Sequence, residues 1–114
     1  MEVRRGEVYW VDFGDVRGKE IAHQHPAVVV SITTLNRFLL VMVPGTSGSN
    51  VTRDYPTNVR VAGGTAGLDH ETVFKCQQIR AVDPDRLQAF IGSCSDQVMR
   101  QIEDAIRDTL GLVG

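Results

Sequence analysis

Glu7–Phe13 reads EVYWVDF and alternates between two sides. The side that begins with Tyr9 is wholly apolar, whereas the other side carries Val8, Trp10 and Asp12. Strict alternation over this length predicts a β-strand, and the apolar side is expected to face a core. The chain therefore opens with a strand, and the residues that follow decide what kind of sheet it joins.

Further short runs of the same character follow, separated by turns rich in Gly, Pro, Asn and Ser. They predict five more strands, at Ala27–Ile32, Phe38–Val43, Thr57–Val61, Thr72–Cys76 and Gln78–Val82. Between Leu35 and Phe38 a short helical turn is expected. Pro44-Gly45 is expected to end the third of these six strands. Asp83–Leu87 is expected to be a turn that leads into a helical turn. So many strands exclude a helix bundle, and the lack of regular strand–helix alternation argues against a doubly wound sheet.

The last segment changes its period. Apolar residues recur there at intervals of three and four, at Val98, Met99, Ile102, Ala105, Ile106 and Leu110. Ser95 is a suitable N-cap, Asp96 lies where the helix dipole favours an acid, and Gly111 is a suitable C-terminal stop. The sequence predicts a single domain over residues 1–114, a strand-rich barrel closed by one C-terminal amphipathic helix.

Charge and composition exclude several classes of protein. The 114 residues carry a formal net charge of −2, so the chain as a whole is not a strongly basic nucleic-acid binder. Residues 16–80 nevertheless contain seven basic and four acidic residues and all three histidines. No apolar run approaches the ~18 residues of a membrane span, and no signal peptide is evident. The two cysteines are expected to be reduced thiols in a cytoplasmic protein.

Two polar segments, Gly14–Pro26 and Pro44–Pro56, are predicted to be long loops, and long loops on a rigid sheet often carry function. Thr46 and Ser47 follow a Pro-Gly turn, where hydroxyls and backbone amides can bind a phosphate oxygen. His25 can move a proton near neutral pH. As a weaker alternative, His23 and His25 could hold a metal ion with His70 or Asp69.

Other side chains near these loops suit RNA chemistry. Cations that could contact phosphate are Arg17, Lys19, Arg53, Lys75 and Arg80. The amides of Gln77 and Gln78 could read base edges, because each offers a donor and an acceptor. Tyr55 and Phe13 could stack on a base.

Several short segments occur in a fixed order along nearly the whole chain: Arg5–Phe13, Gly18–Glu20, Pro26–Ser31, Asn36–Arg37, Val43–Gly48, Tyr55–Pro56 and Gln78–Asp83. Each alone would be a weak signal. Together with the C-terminal helix, this ordered set resembles the MazF/PemK-like toxins of bacterial type II toxin–antitoxin systems.

The resemblance implies a mainly β protein with a C-terminal helix, an SH3-like β-barrel of the MazF/PemK/CcdB toxin type that forms a homodimer. It implies a sequence-specific endoribonuclease that cuts single-stranded RNA (mRNA, or else rRNA or tRNA) without a metal ion or other cofactor. In that chemistry the RNA 2′-hydroxyl attacks the adjacent phosphate, leaving a 2′,3′-cyclic phosphate and a 5′-hydroxyl end. A cognate antitoxin with an acidic, disordered tail is also implied, and no membrane partner.

The segment before Pro26 departs from the family pattern. Family members commonly carry an Arg there, in a Gly-rich stretch, whereas this chain has His25, and Ala22-His23 replaces the Gly-Gly pair. An Arg normally stays protonated, but an imidazole can take up and release a proton. His25 is therefore expected to act as the general base or acid.

Two other positions differ from a branch of the family. That branch has a His after the loop glycine, whereas this chain has Lys19 after Gly18. It also has an Arg and an Asp on either side of a Cys in a later strand, whereas this chain has Lys75 and Gln77 on either side of Cys76. Lys19 or Lys75 is expected to supply positive charge, and Thr46 to hold the scissile phosphate. The residues expected to bind substrate are Glu20, His23, Ser47, Asn50, Arg53, Lys75, Gln77 and Gln78.

Three alternatives stay open. The loss of the Arg could leave a weakly active or inactive homologue that binds RNA or antitoxin without cleavage. The same architecture occurs in toxins that poison DNA gyrase through the C-terminal helix, often with aromatic terminal residues, but Leu110–Gly114 contains none. A metal-dependent hydrolase that uses the histidines is the third.

Overall fold

The computed structural model describes residues 2–112, so Met1 and the end of the Leu110–Gly114 segment lie outside the described residues. Within that range the chain forms seven strands and one α-helix. Their bounds are β1 (Glu7–Asp12), β2 (Gln24–Val29), β3 (Leu40–Ser47), β4 (Asn58–Val61), β5 (Thr72–Lys75), β6 (Arg80–Val82), β7 (Leu87–Ser93) and α1 (Asp96–Leu110). The expected class, a mainly β protein with one C-terminal helix, is confirmed, whereas the expected closure of the strands into a barrel is not seen.

The strands form one antiparallel sheet in the order β4-β5-β3-β2-β1-β7, and β6 pairs with the first half of β3. β1 pairs with β2 on one side and with β7 on the other, and irregular register near Tyr9 bends the β1–β7 pair. Such irregularities increase local twist, which curves the sheet around its core.

β3 passes from one half of the sheet to the other at Pro44-Gly45, and the expectation that these residues end the strand is wrong. The β2–β3 ladder stops at the pair Ala27–Pro44, and from Gly45 onward β3 pairs with β5 instead. Pro26 has no N–H to extend the ladder. At Gly45 a Cβ would lie 2.8 Å from the Thr72 methyl group, so any larger residue would have to displace that side chain. β2 and β3 therefore separate on the N-terminal side of Ala27.

The sheet is not closed into a barrel. Among residues 2–112, the edge strands β4 and β7 do not pair with each other. The turn at Thr65–Gly67 packs directly on the backbone of β7 instead, and a Cβ on Gly92 would overlap the Ala66 carbonyl group. This backbone contact covers the gap that a strand ladder would otherwise fill.

Both faces of the central strands are buried. Tyr9, Val11 and Phe13 lie in one apolar cluster, as the alternation of β1 predicts. Val8 is also fully buried, because the opposite face packs in a second cluster that contains Val28, Val43, Phe74 and residues of α1. Trp10, two residues farther along β1, is 41% exposed.

The C-terminal helix is confirmed in detail. The Ser95 hydroxyl accepts a hydrogen bond from the Val98 N–H at 3.2 Å, and Gly111 ends the helix with a φ of 68°. Met99, Ile102 and Ala105 are buried against the sheet. Among residues 2–112, no helix has the length and apolarity that a bilayer crossing needs.

Other expected boundaries need correction. The strand expected at Ala27–Ile32 begins at Gln24 and ends at Val29, so His25 and Pro26 belong to a strand rather than a loop. The single helical turn expected between Leu35 and Phe38 is present, because the Phe38 and Leu39 N–H groups both donate to the Leu35 carbonyl oxygen, at 3.0 and 3.3 Å. After Pro84–Arg86 the chain enters β7, which has no counterpart among the expected strands. β7 is mostly exposed or half-exposed, so the apolar signal that marks a buried strand is weak there.

Candidate functional site

His25 lies in the opening between β2 and β3. Its ring is half-buried, and Nδ1 is 3.0 Å from the Gly45 carbonyl oxygen. A carbonyl oxygen can only accept, so Nδ1 carries the hydrogen of this bond. In the neutral ring Nε2 then keeps its lone pair, which is the form of imidazole that can remove a proton.

Thr46 follows Gly45 directly and is only 8% exposed. Its Oγ1 accepts a hydrogen bond from Asn50 Nδ2 at 3.2 Å, across the turn Gly48–Asn50. That bond fixes the oxygen and leaves the hydroxyl hydrogen to be donated. Because His25 bonds the residue next to Thr46, the structure places a proton acceptor and a hydroxyl donor at one end of the sheet.

A cavity of about 230 Å³ lies at the end of β5 and under the β3–β4 loop (residues 48–57), and Asn50, which bonds Thr46, forms part of its wall. Asn50, Arg53, Lys75 and Gln77 all line it, together with Tyr55. Lys75 is half-buried and Tyr55 is 54% exposed. Two cations beside an accessible phenol ring suit a phosphate with an adjacent base.

Arg60 on β4 holds the β3–β4 loop in place, and the sequence motifs give no sign of this role. Its guanidinium donates to the carbonyl oxygens of Gly48 and Val51 at 3.2 and 2.8 Å, and to the carboxylates of Asp54 and Glu71 at 3.0 and 2.9 Å. The hydrogen bond to Asp54, with that to Glu71, raises the pKa of Arg60 above its ordinary value, against the opposing effect of burial.

The β1–β2 loop (residues 13–23) carries Lys19, Glu20 and His23. Lys19 and Glu20 are exposed, and Glu20 Oε1 accepts a hydrogen bond from the Arg17 N–H within the loop itself. Both polar atoms of the Gln78 amide bond to this loop: Nε2 donates to the Lys19 carbonyl oxygen at 2.8 Å, and Oε1 accepts from the Ile21 N–H at 3.2 Å. The amide of Gln78 is thus engaged with the protein.

The three histidines occupy separate environments. His23 has a φ of 61° and its Nε2 is 3.9 Å from an Asp15 carboxylate oxygen, so it does not share an extended strand side with His25. His70 lines a different cavity, with Asp69. Within residues 2–112, no three His, Cys, Asp or Glu side chains come together as a metal-binding group. The arrangement suggested for a metal site is therefore not formed.

Phe13 is not available for stacking. It is 2% exposed in the core, and the Arg80 guanidinium lies 5.1 Å from the centre of its ring. The two cysteines are free thiols, Cys76 buried and Cys94 half-buried. Burial raises the pKa of each thiol to about 11, which makes both poor nucleophiles at neutral pH.

The sequence model of the family described as "PemK-like, MazF-like toxin of type II toxin-antitoxin system" matches residues 4–110. The chain belongs to this toxin family. It is 36% identical over 117 residues to endoribonuclease MazF9 of Mycobacterium tuberculosis, which covers 96% of this chain and 98% of the relative. It is also 32% identical over 111 residues to endoribonuclease MazF of Staphylococcus saprophyticus, covering 96% of this chain and 92% of the relative.

Structural comparison agrees. A mycobacterial endoribonuclease solved in complex with its cognate antitoxin superimposes with a TM-score of 0.79, covering 98% of each chain at 24% identity. At that level of identity the similarity establishes the fold. The family assignment rests on the sequence match, and the site geometry described above is this chain's own.

Proposed function

We propose that this family member is a toxin that cleaves single-stranded RNA, without a metal ion, by attack of the RNA's own 2′-hydroxyl. The observation that carries the proposal is the His25–Gly45 hydrogen bond, which leaves the Nε2 lone pair free to accept a proton and ties His25 to the residue that precedes Thr46. The two curated relatives, named endoribonucleases, support the activity.

In the proposed reaction, His25 Nε2 takes the proton from the 2′-hydroxyl as that oxygen bonds to the adjacent phosphorus. The Thr46 hydroxyl donates to a non-bridging phosphate oxygen, and Lys75 supplies positive charge as negative charge builds on the phosphate. The bond to the 5′-oxygen then breaks, and the exposed Lys19 is the ammonium group available to protonate it. The products are a 2′,3′-cyclic phosphate and a 5′-hydroxyl end.

Partners of the toxin are part of the proposal. We infer that it acts as a homodimer in the cytoplasm and that a cognate antitoxin blocks it. The antitoxin complex of the mycobacterial structural relative supports this inference. The basic excess of residues 16–80 would attract an acidic antitoxin tail to the surface that binds RNA.

The test is cleavage of a long, weakly structured RNA by purified protein in EDTA, followed by mapping of the ends. His25→Gln keeps an N–H to donate to Gly45 but has no basic nitrogen, and Thr46→Val keeps the shape but removes the hydroxyl. Each variant should lose activity, by about 100-fold or more for the missing base. Thr34→Val, at an exposed position of the 33–38 turns, is the matched control. Equal rates for all four proteins would contradict the proposal.

His25→Arg restores the residue that family members commonly carry. A guanidinium stays protonated and cannot take the 2′-hydroxyl proton as a neutral imidazole does, so the Arg variant should cleave RNA more slowly than the wild type if His25 is the base. RNA binding without new ends at any pH would instead support the non-catalytic homologue.

A further inference from the structure

A second cavity lies at the same end of the sheet, and neither the family match nor the proposed reaction uses it. It measures about 230 Å³ and opens between β1, β2, β3 and the start of β5. Its walls are Trp10, Pro26, Leu68 and Ile91, and its polar side is formed by Ser47 with Asp69 and His70. Trp10 is 41% exposed, so one part of its indole is accessible.

The cavity is joined to the candidate site through two strands. Pro26 follows His25 and Ser47 follows Thr46. Successive side chains of a strand point to opposite faces, so the cavity lies across the sheet from the candidate catalytic pair. The β2–β3 ladder stops at the pair Ala27–Pro44, so the two strands are no longer paired with each other at Pro26 and Ser47.

We propose that this cavity, the Trp10 cavity, binds the base of a nucleotide next to the scissile phosphate; this inference rests on the proposed function. An exposed indole stacks on any base, and apolar walls exclude water from its ring. The Asp69 carboxylate can only accept a hydrogen bond when ionised, so it favours a base with an exocyclic amino group. Adenine, cytosine and guanine should therefore bind better than uracil or thymine.

The polar lining distinguishes this occupant from an apolar side chain of a protein partner. The Ser47 hydroxyl already bonds to Ser49 Oγ at 3.0 Å, but Asp69 and His70 are exposed. An apolar side chain that covered their polar groups would give them no hydrogen-bond partner, and unpaired polar groups oppose burial. A base has donors and acceptors along its edge and a flat ring face, so it suits both the polar side and the indole.

Trp10 is the only tryptophan of the chain, so its fluorescence reports on this cavity alone. The probes are all-deoxy heptamers of adenine, cytosine or thymine, which lack the attacking 2′-hydroxyl and cannot be cleaved. Adenine and cytosine heptamers should quench the emission and thymine should do so more weakly, while an abasic heptamer should not. Asp69→Asn should reduce the difference between the bases. Quenching by the abasic heptamer equal to that by adenine would overturn the proposal.

Substitutions at Trp10 test the same point through cleavage. Trp10→Ala should weaken binding of a heptamer about 5- to 150-fold and relax the base preference beside the cut, since it removes one stacked base. Trp10→Phe should keep most of both. Phe38→Ala, at a 72% exposed position outside the cavity, should change neither. An unchanged set of cleavage positions in a folded Trp10→Ala variant would sink the assignment.

The two proposals fail in different ways. If the wild type does not cleave RNA but the heptamers still quench Trp10, then the proposed function fails and the cavity remains a base site. If cleavage depends on His25 but only an acidic peptide with apolar side chains quenches Trp10, the cavity is a protein-docking site and the base assignment is wrong.

Discussion

Gln78 bonds to Lys19 across 59 positions of sequence: its Nε2 donates to the Lys19 carbonyl oxygen at 2.8 Å, while its Oε1 accepts from the Ile21 N–H. One amide therefore joins the segment between β5 and β6 to the β1–β2 loop. In the proposed reaction Lys19 protonates the leaving oxygen. Its backbone is held in place by Gln78, a residue that the sequence predicts only to contact base edges.

Gln78→Ala should release the β1–β2 loop. It removes two partly exposed hydrogen bonds, each worth about 0.5–1.5 kcal/mol, so the free energy of unfolding should fall by about 1–3 kcal/mol. Hydrogen exchange at the Ile21 amide should become faster, and RNA cleavage should slow. Gln78→Glu keeps the acceptor for Ile21 but loses the donor, so the exchange should stay close to wild type. A Gln78→Ala protein with unchanged exchange at Ile21 would contradict this role.

The sequence was sufficient for elements whose signal is local. The alternation of Glu7–Phe13 and the three- and four-residue spacing around Ile102 each identify an element and its buried side. β7 has no such local signal because it is mostly exposed and is held by contacts with distant parts: Gly92 packs under the Ala66 carbonyl, and the Phe90 ring lies edge-on to Tyr9 at 5.4 Å. Contacts of that kind leave no periodic pattern within the strand.

Gly92→Ala tests the backbone contact that covers the gap between β4 and β7. A Cβ there would lie 2.6 Å from the Ala66 carbonyl carbon, and a backbone atom cannot move aside as a flexible side chain can. We expect a loss of about 3 kcal/mol in chemical denaturation, at the upper end of overpacking effects.

Gly63→Ala is the control for that measurement, because its Cβ would meet its nearest neighbour at 3.3 Å. It should destabilise the protein much less. Equal midpoints for the two variants would show that the turn at Thr65–Gly67 does not seal the sheet.

Arg60→Lys tests how the β3–β4 loop is held. A lysine keeps the charge but cannot donate at once to two carbonyl oxygens and two carboxylates, which the planar guanidinium does. Hydrogen exchange should rise across residues 48–54, and RNA cleavage should fall because Asn50 no longer fixes the Thr46 hydroxyl. Arg107→Lys on α1 is the control, because among residues 2–112 the Arg107 guanidinium bonds to Asp104 alone. Protection that is lost equally in both variants would argue against a specific role for Arg60.

The candidate site was harder to predict from sequence than the fold, and the reason is geometric. Residue types identified His25 and Thr46, but the tautomer of His25 depends on the Gly45 carbonyl, which only the parting of β2 and β3 brings within 3.0 Å. His23 has the same chemistry two positions away, yet its φ of 61° turns it toward Asp15. The backbone angle at His23 therefore decides which of the two histidines can act as the base, and the sequence does not reveal that angle.

The buried thiols and phenol should make the fold sensitive to alkali. Burial raises the pKa of Cys76 and Cys94 to about 11, and burial together with the nearby Glu7 raises the pKa of Tyr9 to about 12. The unfolded chain, with ordinary values of 9.0 and 10.0, releases these protons first. Unfolding therefore becomes more favourable as the pH rises above about 9, and the stabilisation is lost by pH 11–12.

Urea denaturation between pH 8 and 11 measures this directly, with the midpoint expected to fall steadily. Cys94→Ala removes one of the three groups and leaves a cavity the size of one sulfur atom, so the variant should start lower and fall less steeply with pH. Alkylation gives an independent reading: at pH 8 both thiols should react about 100-fold more slowly in the folded protein than in urea, since a pKa higher by two units lowers the thiolate fraction by that factor. A midpoint that stays level to pH 11, with thiols that react at the unfolded rate, would mean that neither cysteine is held in its neutral form by the fold.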